Sequence, residues 1–312
     1  MAKHPALVGG TPITQLETLM HRPVRTAIFP VGGLGVRFLP ATKAVPKEML
    51  PVVDKPLIQY AVEEAKAAGI EQFVFVTGRG KTAIEDHFDH SYELHATLVE
   101  RHKKRELDLV ADILPVAGQV AYVRQQVPLG LGHAVWCARH LAAGEPVAVL
   151  LADDLVKGEV PCLKQMVDAY ARVGGNLVAV MDVPREHTDR YGVLDVGRVE
   201  GRLAEVKGLV EKPKPAVAPS TLTIVGRYIL QPQVFDLLGR LERGAGNEIQ
   251  LTDALSKMIG HGPFHGYRFD GTRFDCGDKA GFLEATIAYA LDHPQIAKAA
   301  RAIVGRYAAG DT

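Results

Sequence analysis

At residues 26–56 the chain reads TAIFPVGGLGVRFLPATKAVPKEMLPVVDKP, and this stretch decides the fold. Residues 26–31 form a short, mostly apolar run that is followed by Gly32 and Gly33. This pattern predicts a buried strand that runs into a glycine-rich loop. Glycines in such a loop let the backbone approach a ligand and direct N–H groups at phosphate oxygens. Arg37, Lys43 and Lys47 follow. The stretch therefore predicts an anion site at the C-terminal end of a parallel strand.

Strand and helix patterns alternate beyond this stretch. Residues 57–68 place apolar side chains on one helical face, and Gly69 follows where a C-terminal cap belongs. Further apolar strand patterns lie at 73–76, 120–123, 147–151 and 177–181, and helical patterns at 131–142 and 162–173. This alternation indicates βαβ units. We therefore expect an α/β fold with a Rossmann-like, mostly parallel sheet flanked by helices.

The pattern changes after Pro184. Three β-rich segments, joined by turns rich in glycine or proline, lie at 192–196, 202–210 and 222–230. Helical patterns return at about 232–241, 250–260, 279–292 and 295–308. We therefore expect a β-rich portion inserted between two groups of helices.

Composition restricts the classes of protein that remain. The 312 residues include 36 Lys and Arg and 36 Asp and Glu, and this zero net charge argues against a protein that tracks nucleic acid. The three cysteines form no CxxC pair, which excludes a zinc ribbon or a thioredoxin motif. Their small, odd number suits a reducing compartment. The sequence shows neither a signal peptide nor an apolar run that could span a bilayer. We expect a cytoplasmic protein that binds no nucleic acid and no membrane.

Two common phosphate-binding motifs fit poorly. The segment 33–38 has Phe38 where a dinucleotide-binding fingerprint needs its third glycine, which argues against a dehydrogenase. Residues 80–82 read Gly-Lys-Thr, like the end of a P-loop, but the first glycine of that motif would fall on Phe75. We predict a simple strand–turn–helix connection there.

Residues 32–56 resemble the signature of sugar-nucleotide pyrophosphorylases, which is a glycine-rich loop, an arginine and then Pro-Lys-Glu-x-Leu-Pro. The similarity is greatest to the bacterial UTP–glucose-1-phosphate uridylyltransferases. Seven further stretches match in the same order: VRQQ…GLGHA (123–134), LADD (151–154), RYGV (190–193), LVEKP (209–213), IVGRY (224–228), EIQLTD (248–253) and DCGDK (275–279). The resemblance covers about residues 24–292 and implies a fold of the nucleotide-diphospho-sugar transferase type.

The resemblance implies an enzyme that transfers the uridylyl group of UTP to α-D-glucose 1-phosphate, giving UDP-glucose and pyrophosphate. The sugar phosphate would attack the α-phosphorus in line, assisted by Mg²⁺ and without a covalent enzyme intermediate. A homo-oligomer, dimer or tetramer, is also implied. A thymidylyltransferase or another sugar-phosphate nucleotidyltransferase is the alternative. A non-catalytic regulatory homologue is less favoured, because the charged site residues are all present.

The resemblance also divides the chain. One catalytic domain would span residues 24–292, with a nucleotide-binding part at 24–183 and a sugar-binding part at 184–278. Residues 1–23 would form an N-terminal extension. Residues 293–312 would form a C-terminal helix and tail.

Four groups of site residues follow from positions in the matching motifs. The nucleotide would be held by Gly32, Gly33, Gly35, Glu48, Gln125 and Gly130. The catalytic cations would be Arg37, Lys47 and Lys212. The sugar would be held by Tyr191, Gly192, Glu211 and Lys212. The Mg²⁺ ligands would be Asp153 and Asp275.

Some of these assignments have competing interpretations. Glu48 is equally a candidate for a structural salt bridge, and Asp275 could cap the helix predicted to start near Lys279. Asp154 is less favoured as a metal ligand than its neighbour, because adjacent strand residues point to opposite faces. For the same reason residues 211–213 should contain a bend, which Pro213 makes compatible with the end of a strand.

Overall fold

The computed structural model describes residues 21–309. The expected N-terminal extension, residues 1–23, lies outside the described residues except for its last three. Within this range the strands are β1 Thr26–Pro30, β2 Pro51–Val52, β3 Lys55–Pro56, β4 Gln72–Thr77, β5 Val120–Arg124, β6 Val147–Leu150, β7 Asp154–Lys157, β8 Asn176–Asp182, β9 Gly192–Glu200, β10 Leu203–Glu211, β11 Leu222–Leu230, β12 Phe264–Arg268 and β13 Thr272–Asp275. The helices are α1 Leu57–Ala67, α2 Thr82–His87, α3 Tyr92–Glu100, α4 Lys104–Ile113, α5 Leu131–Cys137, α6 Cys162–Val173, α7 Gln233–Leu238, α8 Leu251–Met258, α9 Lys279–Asp292 and α10 Ala297–Ala309.

A nine-stranded sheet with the order β5-β4-β1-β6-β11-β8-β12-β10-β9 forms the centre of the molecule. Strands β10 and β11 are antiparallel to the other seven strands, which all run in the same direction. The predicted Rossmann-like, mostly parallel α/β sheet is therefore confirmed. The C-terminal ends of β1, β4, β5 and β6 lie along one edge of this sheet, because these four strands are parallel neighbours.

The sheet is covered by helices on both faces, which explains its unbroken apolar strands. In β1, Ala27 and Phe29 pack in one buried layer with side chains of α1 and α6. Ile28, between them, packs in the opposite layer with side chains of α5, α7 and α8. Since successive strand residues face opposite sides, a strand between two helical layers needs an apolar residue at every position.

Several boundaries differ from the predicted ones. Helix α5 ends at Cys137 rather than at residue 142, and the chain then turns through Ala143 and Gly144, which both have a positive φ. The exposed helices α3 and α4 were not predicted, and neither buries a residue. The predicted strand–turn–helix connection after β4 is confirmed, since α2 begins at Thr82.

A second, two-stranded sheet was also missed and matters for the site. Strands β7 and β13 pair antiparallel, with Asp154 opposite Asp275. Helix α9 follows β13, and its Ala285 packs in a small buried cluster with Leu155 and Phe274 of the two strands. This sheet brings the end of the LADD motif against the start of the DCGDK motif. Between residues 21 and 309, no helix is long and apolar enough to cross a membrane.

Candidate active site

A cavity of about 220 Å³ lies beyond the C-terminal ends of the parallel strands. The predicted site residues that line it are Arg37, Asp153, Tyr191, Gly192, Glu211, Lys212 and Asp275. Four larger cavities within residues 21–309 contain none of the predicted site residues. The candidate active site is therefore identified by the charged residues that line the cavity and not by the volume of the cavity.

The predicted cation Lys47 and the predicted metal ligand Asp153 form an ion pair. Lys47 Nζ lies 2.6 Å from Asp153 Oδ2, and both side chains are mostly buried. Burial opposes the charge on each group, but the partner outweighs it. The pKa of Lys47 is therefore raised and the pKa of Asp153 is lowered. Both groups are held in their charged forms beside the cavity.

Gly277 makes room for three of the charged residues. A Cβ added at Gly277 would lie 2.9 Å from Asp153 Oδ2, 3.0 Å from Asp275 Oδ1 and 3.7 Å from Arg37 Nη1. The two carboxylates therefore flank one small space that a side chain at this position would fill. Arg37 is held there by a hydrogen bond from Nη1 to the Gly277 carbonyl, 3.5 Å away. Asp275 does not cap the following helix, because Asp278 accepts the hydrogen bond from Ala280 N–H instead.

Asp154 also lines the cavity, but its carboxylate is held by protein partners. Its carboxylate pairs with the buried guanidinium of Arg273 and accepts a hydrogen bond from Gly226 N–H at 3.0 Å. Arg273 also donates to Tyr191 Oη at 3.0 Å and lies 3.5 Å from Asp275 Oδ2. One arginine thus connects a metal-ligand candidate with a sugar-contact candidate.

The sugar-side residues meet at a bend, as the sequence predicted. Lys212 has φ +48°, a left-handed conformation, directly after the last residue of β10. The bend lets Lys212 N–H donate to the Tyr191 carbonyl at 3.0 Å, while Glu211 lies opposite Gly192 in the strand pairing. Glu211 Oε2 accepts a hydrogen bond of 2.8 Å from Thr252 Oγ1, which fixes the carboxylate at the wall of the cavity.

The nucleotide-side residues come together at the ends of β1 and β5. A Cβ on Gly32 would lie 3.0 Å from Gln125 Oε1, so the glycine-rich loop and the predicted base-reading amide are neighbours. Gly130, with φ +108°, packs so closely on the backbone of Ile249 that a Cβ would meet its carbonyl oxygen at 2.9 Å. The tight packing at Gly130 places the GLGHA motif directly against the EIQLTD motif.

The remaining residues of the loop differ in their surroundings. Gly35 has φ +65° and accepts a hydrogen bond from Thr42 Oγ1 at 2.7 Å, which closes the turn, whereas Gly33 has open space around it. Glu48 does not line the cavity. Its carboxylate lies 2.7 Å from Lys81 Nζ, and both side chains are almost fully buried. The structure thus places Glu48 in the salt bridge that was its competing interpretation.

The comparisons with known proteins agree with this geometry. A family model described as nucleotidyl transferase matches residues 26–291. The chain belongs to the nucleotidyl transferase family. The UTP–glucose-1-phosphate uridylyltransferase of Komagataeibacter xylinus is 54% identical to it over 260 residues, which cover 83% of this chain and 92% of that protein. The resemblance inferred from the motifs is confirmed.

Solved structures also resemble this nucleotidyl transferase over most of its length. The UDP-glucose pyrophosphorylase from Acinetobacter baumanii superposes with a TM-score of 0.84 at 40% identity, covering 91% of this chain and 99% of that one. A UDP-glucose pyrophosphorylase complexed with UDP-glucose superposes with a TM-score of 0.78 at 43% identity, covering 85% and 98%.

Sequence reasoning missed three residues of this nucleotidyl transferase site: Arg273, Thr252 and Gly277. Arg273 lies two residues before Asp275 on β13, so the period of two in a strand was the signal that could have placed both on one face. Thr252 and Gly277 lie inside motifs that were recognised, but their contacts depend on long-range packing that no local pattern encodes.

Proposed function

We propose that this chain transfers the uridylyl group of UTP to α-D-glucose 1-phosphate and releases UDP-glucose and pyrophosphate. One observation carries the proposal. Asp153, Asp275, Glu211 and Lys212 line a single cavity, and Asp153 is paired there with Lys47. The printed names of the relatives, and the UDP-glucose bound by one of them, support this choice of substrates.

In this proposal the protein works by positioning and charge neutralisation. Arg37 and Lys47 would face the triphosphate and the reacting phosphorus, because a guanidinium and an ammonium can each offset charge on phosphoryl oxygens. Lys212, whose side chain is half-exposed, would meet the phosphate of the sugar. Glu211, Tyr191 and Gly192 would contact the glucose. A glucose phosphate so held would attack the α-phosphorus in line, and pyrophosphate would leave.

Asp153 and Asp275 suit a magnesium ion. Their oxygens flank the same small space, and hard carboxylate oxygens are the ligands that Mg²⁺ takes from proteins. Within residues 21–309 no three His, Cys, Asp or Glu side chains are grouped as a complete metal site. An ion held by these two carboxylates would keep waters and take phosphate oxygens as its other ligands. When bound, Mg²⁺ would neutralise charge on the triphosphate.

The test is a pyrophosphate-release assay on the full chain with glucose 1-phosphate and Mg²⁺. UTP, dTTP, CTP and ATP are compared as nucleotide substrates at equal concentration. We expect UTP to give the highest kcat/KM. A preference for dTTP would assign the chain to the thymidylyltransferases, and release of pyrophosphate from none of the four would overturn the proposal.

Thr252→Val is expected to weaken the sugar site selectively. Valine keeps the shape of threonine but cannot donate to Glu211 Oε2, so the carboxylate loses the contact that orients it. The KM for glucose 1-phosphate should rise about fivefold to tenfold, the usual effect of one hydrogen bond, while the KM for UTP stays within about twofold. Ser256→Ala is the matched control, since this hydroxyl lies on the same helix but bonds the Leu209 carbonyl. Equal changes in both KM values would contradict the assignment.

We also propose a homo-oligomer, a dimer or a tetramer. Support comes from the last two helices, where several large apolar side chains are exposed: Leu283, Ile287, Ile303, Val304 and Tyr307. Leu283 and Ile287 are four residues apart, as are Ile303 and Tyr307, so each helix presents an apolar face. Exposed apolar faces of this kind mark contact surfaces.

A Leu283→Glu, Ile303→Glu double variant is expected to dissociate the oligomer, because it would bury two unpaired carboxylates in the contact. Light scattering after gel filtration should give the mass of one chain for the variant and a multiple for the unsubstituted protein. Val199→Glu, an exposed apolar residue on β9, is the control. A variant with unchanged mass would show that the contact lies elsewhere.

We propose UTP and glucose 1-phosphate as the substrates, with neither nucleic acid nor membrane as a partner, and the cytoplasm as the place of reaction. The three cysteines, Cys137, Cys162 and Cys276, are all free. Free thiols suit a reducing compartment. Burial raises the pKa of Cys276 to about 12, so this thiol, which is adjacent to Asp275 in the chain, stays protonated and unreactive at neutral pH.

A further inference from the structure

The side-chain amide of Gln125 has only one group left for a ligand. Its Nε2 lies 3.2 Å from the Gly130 carbonyl oxygen and 3.0 Å from Nδ1 of His133. A backbone carbonyl can only accept a hydrogen bond, so the atom facing it must be the amide nitrogen. Both hydrogens of that nitrogen are therefore committed to protein acceptors.

This arrangement fixes the state of His133. Because Gln125 Nε2 is a donor, His133 Nδ1 must be the unprotonated acceptor, and the neutral ring carries its proton on Nε2. Nε2 lies 3.9 Å from Cys137 Sγ, which can accept only a weak bond. The ring stacks on Trp136 with centroids 5.9 Å apart. Burial lowers the pKa of His133, which agrees with a neutral imidazole.

The free oxygen of the amide points at the glycine-rich loop. Gln125 Oε1 lies 3.0 Å from the position that a Cβ would take on Gly32, and Gln125 itself is almost fully buried. An amide held in this orientation offers the incoming base an acceptor and no donor. Rotation by half a turn would instead place the nitrogen toward the loop, and the oxygen would then face the Gly130 carbonyl and His133 Nδ1.

We propose that His133 is a positioning residue for base selection: its unprotonated Nδ1 locks the Gln125 amide so that only a base with an N–H at position 3 is accepted. Uracil has that N–H, whereas cytosine carries a lone pair at the same atom and would meet Oε1 acceptor to acceptor. A buried acceptor left without a donor is costly, which makes this contact selective. The inference rests on the proposed function, in which Gln125 reads the base.

The test compares kcat/KM for UTP and CTP in three proteins: unsubstituted, His133→Phe and His133→Asn. Phenylalanine keeps an aromatic ring against Trp136 but has no hydrogen-bond acceptor. The ratio of kcat/KM for UTP to that for CTP should therefore fall about tenfold, which corresponds to the loss of roughly one hydrogen bond between uncharged groups. Asparagine can present its Oδ1 to Gln125 and should keep the preference near that of the unsubstituted chain. UTP methylated at carbon 5 serves as the control, because it has the same N–H and its ratio to UTP should not move.

The outcomes separate the two proposals. If the unsubstituted protein does not use UTP, the proposed function fails. If it uses UTP and the His133→Phe variant keeps its UTP-to-CTP ratio, or if His133→Asn loses the ratio equally, the role of His133 is overturned. If a variant does not fold, the inference can still be tested on the unsubstituted protein. ¹⁵N NMR of the His133 ring should show Nδ1 unprotonated at neutral pH. A protonated Nδ1 would overturn the inference.

Discussion

An Asp153→Asn variant should turn over about 100-fold or more slowly than the unsubstituted enzyme, since charge stabilisation by a metal contributes several kcal/mol to such reactions. Asparagine matches the shape of aspartate and can still accept from Lys47 Nζ, now 2.6 Å from the carboxylate. It lacks the charge that would hold Mg²⁺ beside the triphosphate. The measurement is kcat for pyrophosphate release across a range of Mg²⁺ concentrations.

The dependence on Mg²⁺ distinguishes a metal ligand from a residue that only positions Lys47. A lost ligand should also raise the Mg²⁺ concentration needed for half-maximal rate, whereas a misplaced lysine should lower kcat at every concentration alike. Asp168→Asn is the matched control, because this carboxylate forms an exposed ion pair with Lys164 on a helix surface. Near-normal activity with an unchanged Mg²⁺ dependence in Asp153→Asn would refute the metal-ligand role.

The parallel half of the fold could be predicted because its signal is local. Residues 27–31 are apolar at each position, and both faces of the strand are buried against helices. The C-terminal ends of parallel strands meet at one edge, so Gly32, Gln125 and Asp153 could be expected to lie near each other from their positions after three strands. Motifs that are far apart in the sequence therefore meet in one site, because each follows a strand of the same parallel sheet.

The rest of the site depends on contacts between distant segments. The β7–β13 sheet has strands of only four residues, and 119 positions separate Asp154 from the Arg273 that pairs with it. Such short strands carry no periodicity to detect. Glu48 illustrates the same limit, because its partner Lys81 lies 33 residues away and neither side chain reveals from sequence that it is buried.

Arg227→Met should lower the free energy of unfolding by about 3–5 kcal/mol, because it leaves a buried carboxylate without its partner. Arg227 is almost completely buried and makes a two-point contact with Glu64, Nε to Oε1 at 3.0 Å and Nη2 to Oε2 at 2.7 Å. Burial opposes its charge, but Glu64 outweighs burial and raises the pKa of Arg227. Chemical denaturation followed by circular dichroism measures the change.

A double variant, Glu64→Met with Arg227→Met, separates the cost of an unpaired charge from the loss of packing. Replacing both members of a buried pair by apolar residues is often close to neutral, so the double variant should recover most of the lost stability. Full recovery is not expected, because Arg227 Nη1 also donates to the Leu151 carbonyl at 2.9 Å and Glu64 Oε1 accepts from Leu163 N–H. Lys164→Met, in an exposed pair, should change stability little. If Arg227→Met were as mild as Lys164→Met, the buried pair would not stabilise the fold, and the IVGRY motif would need another explanation.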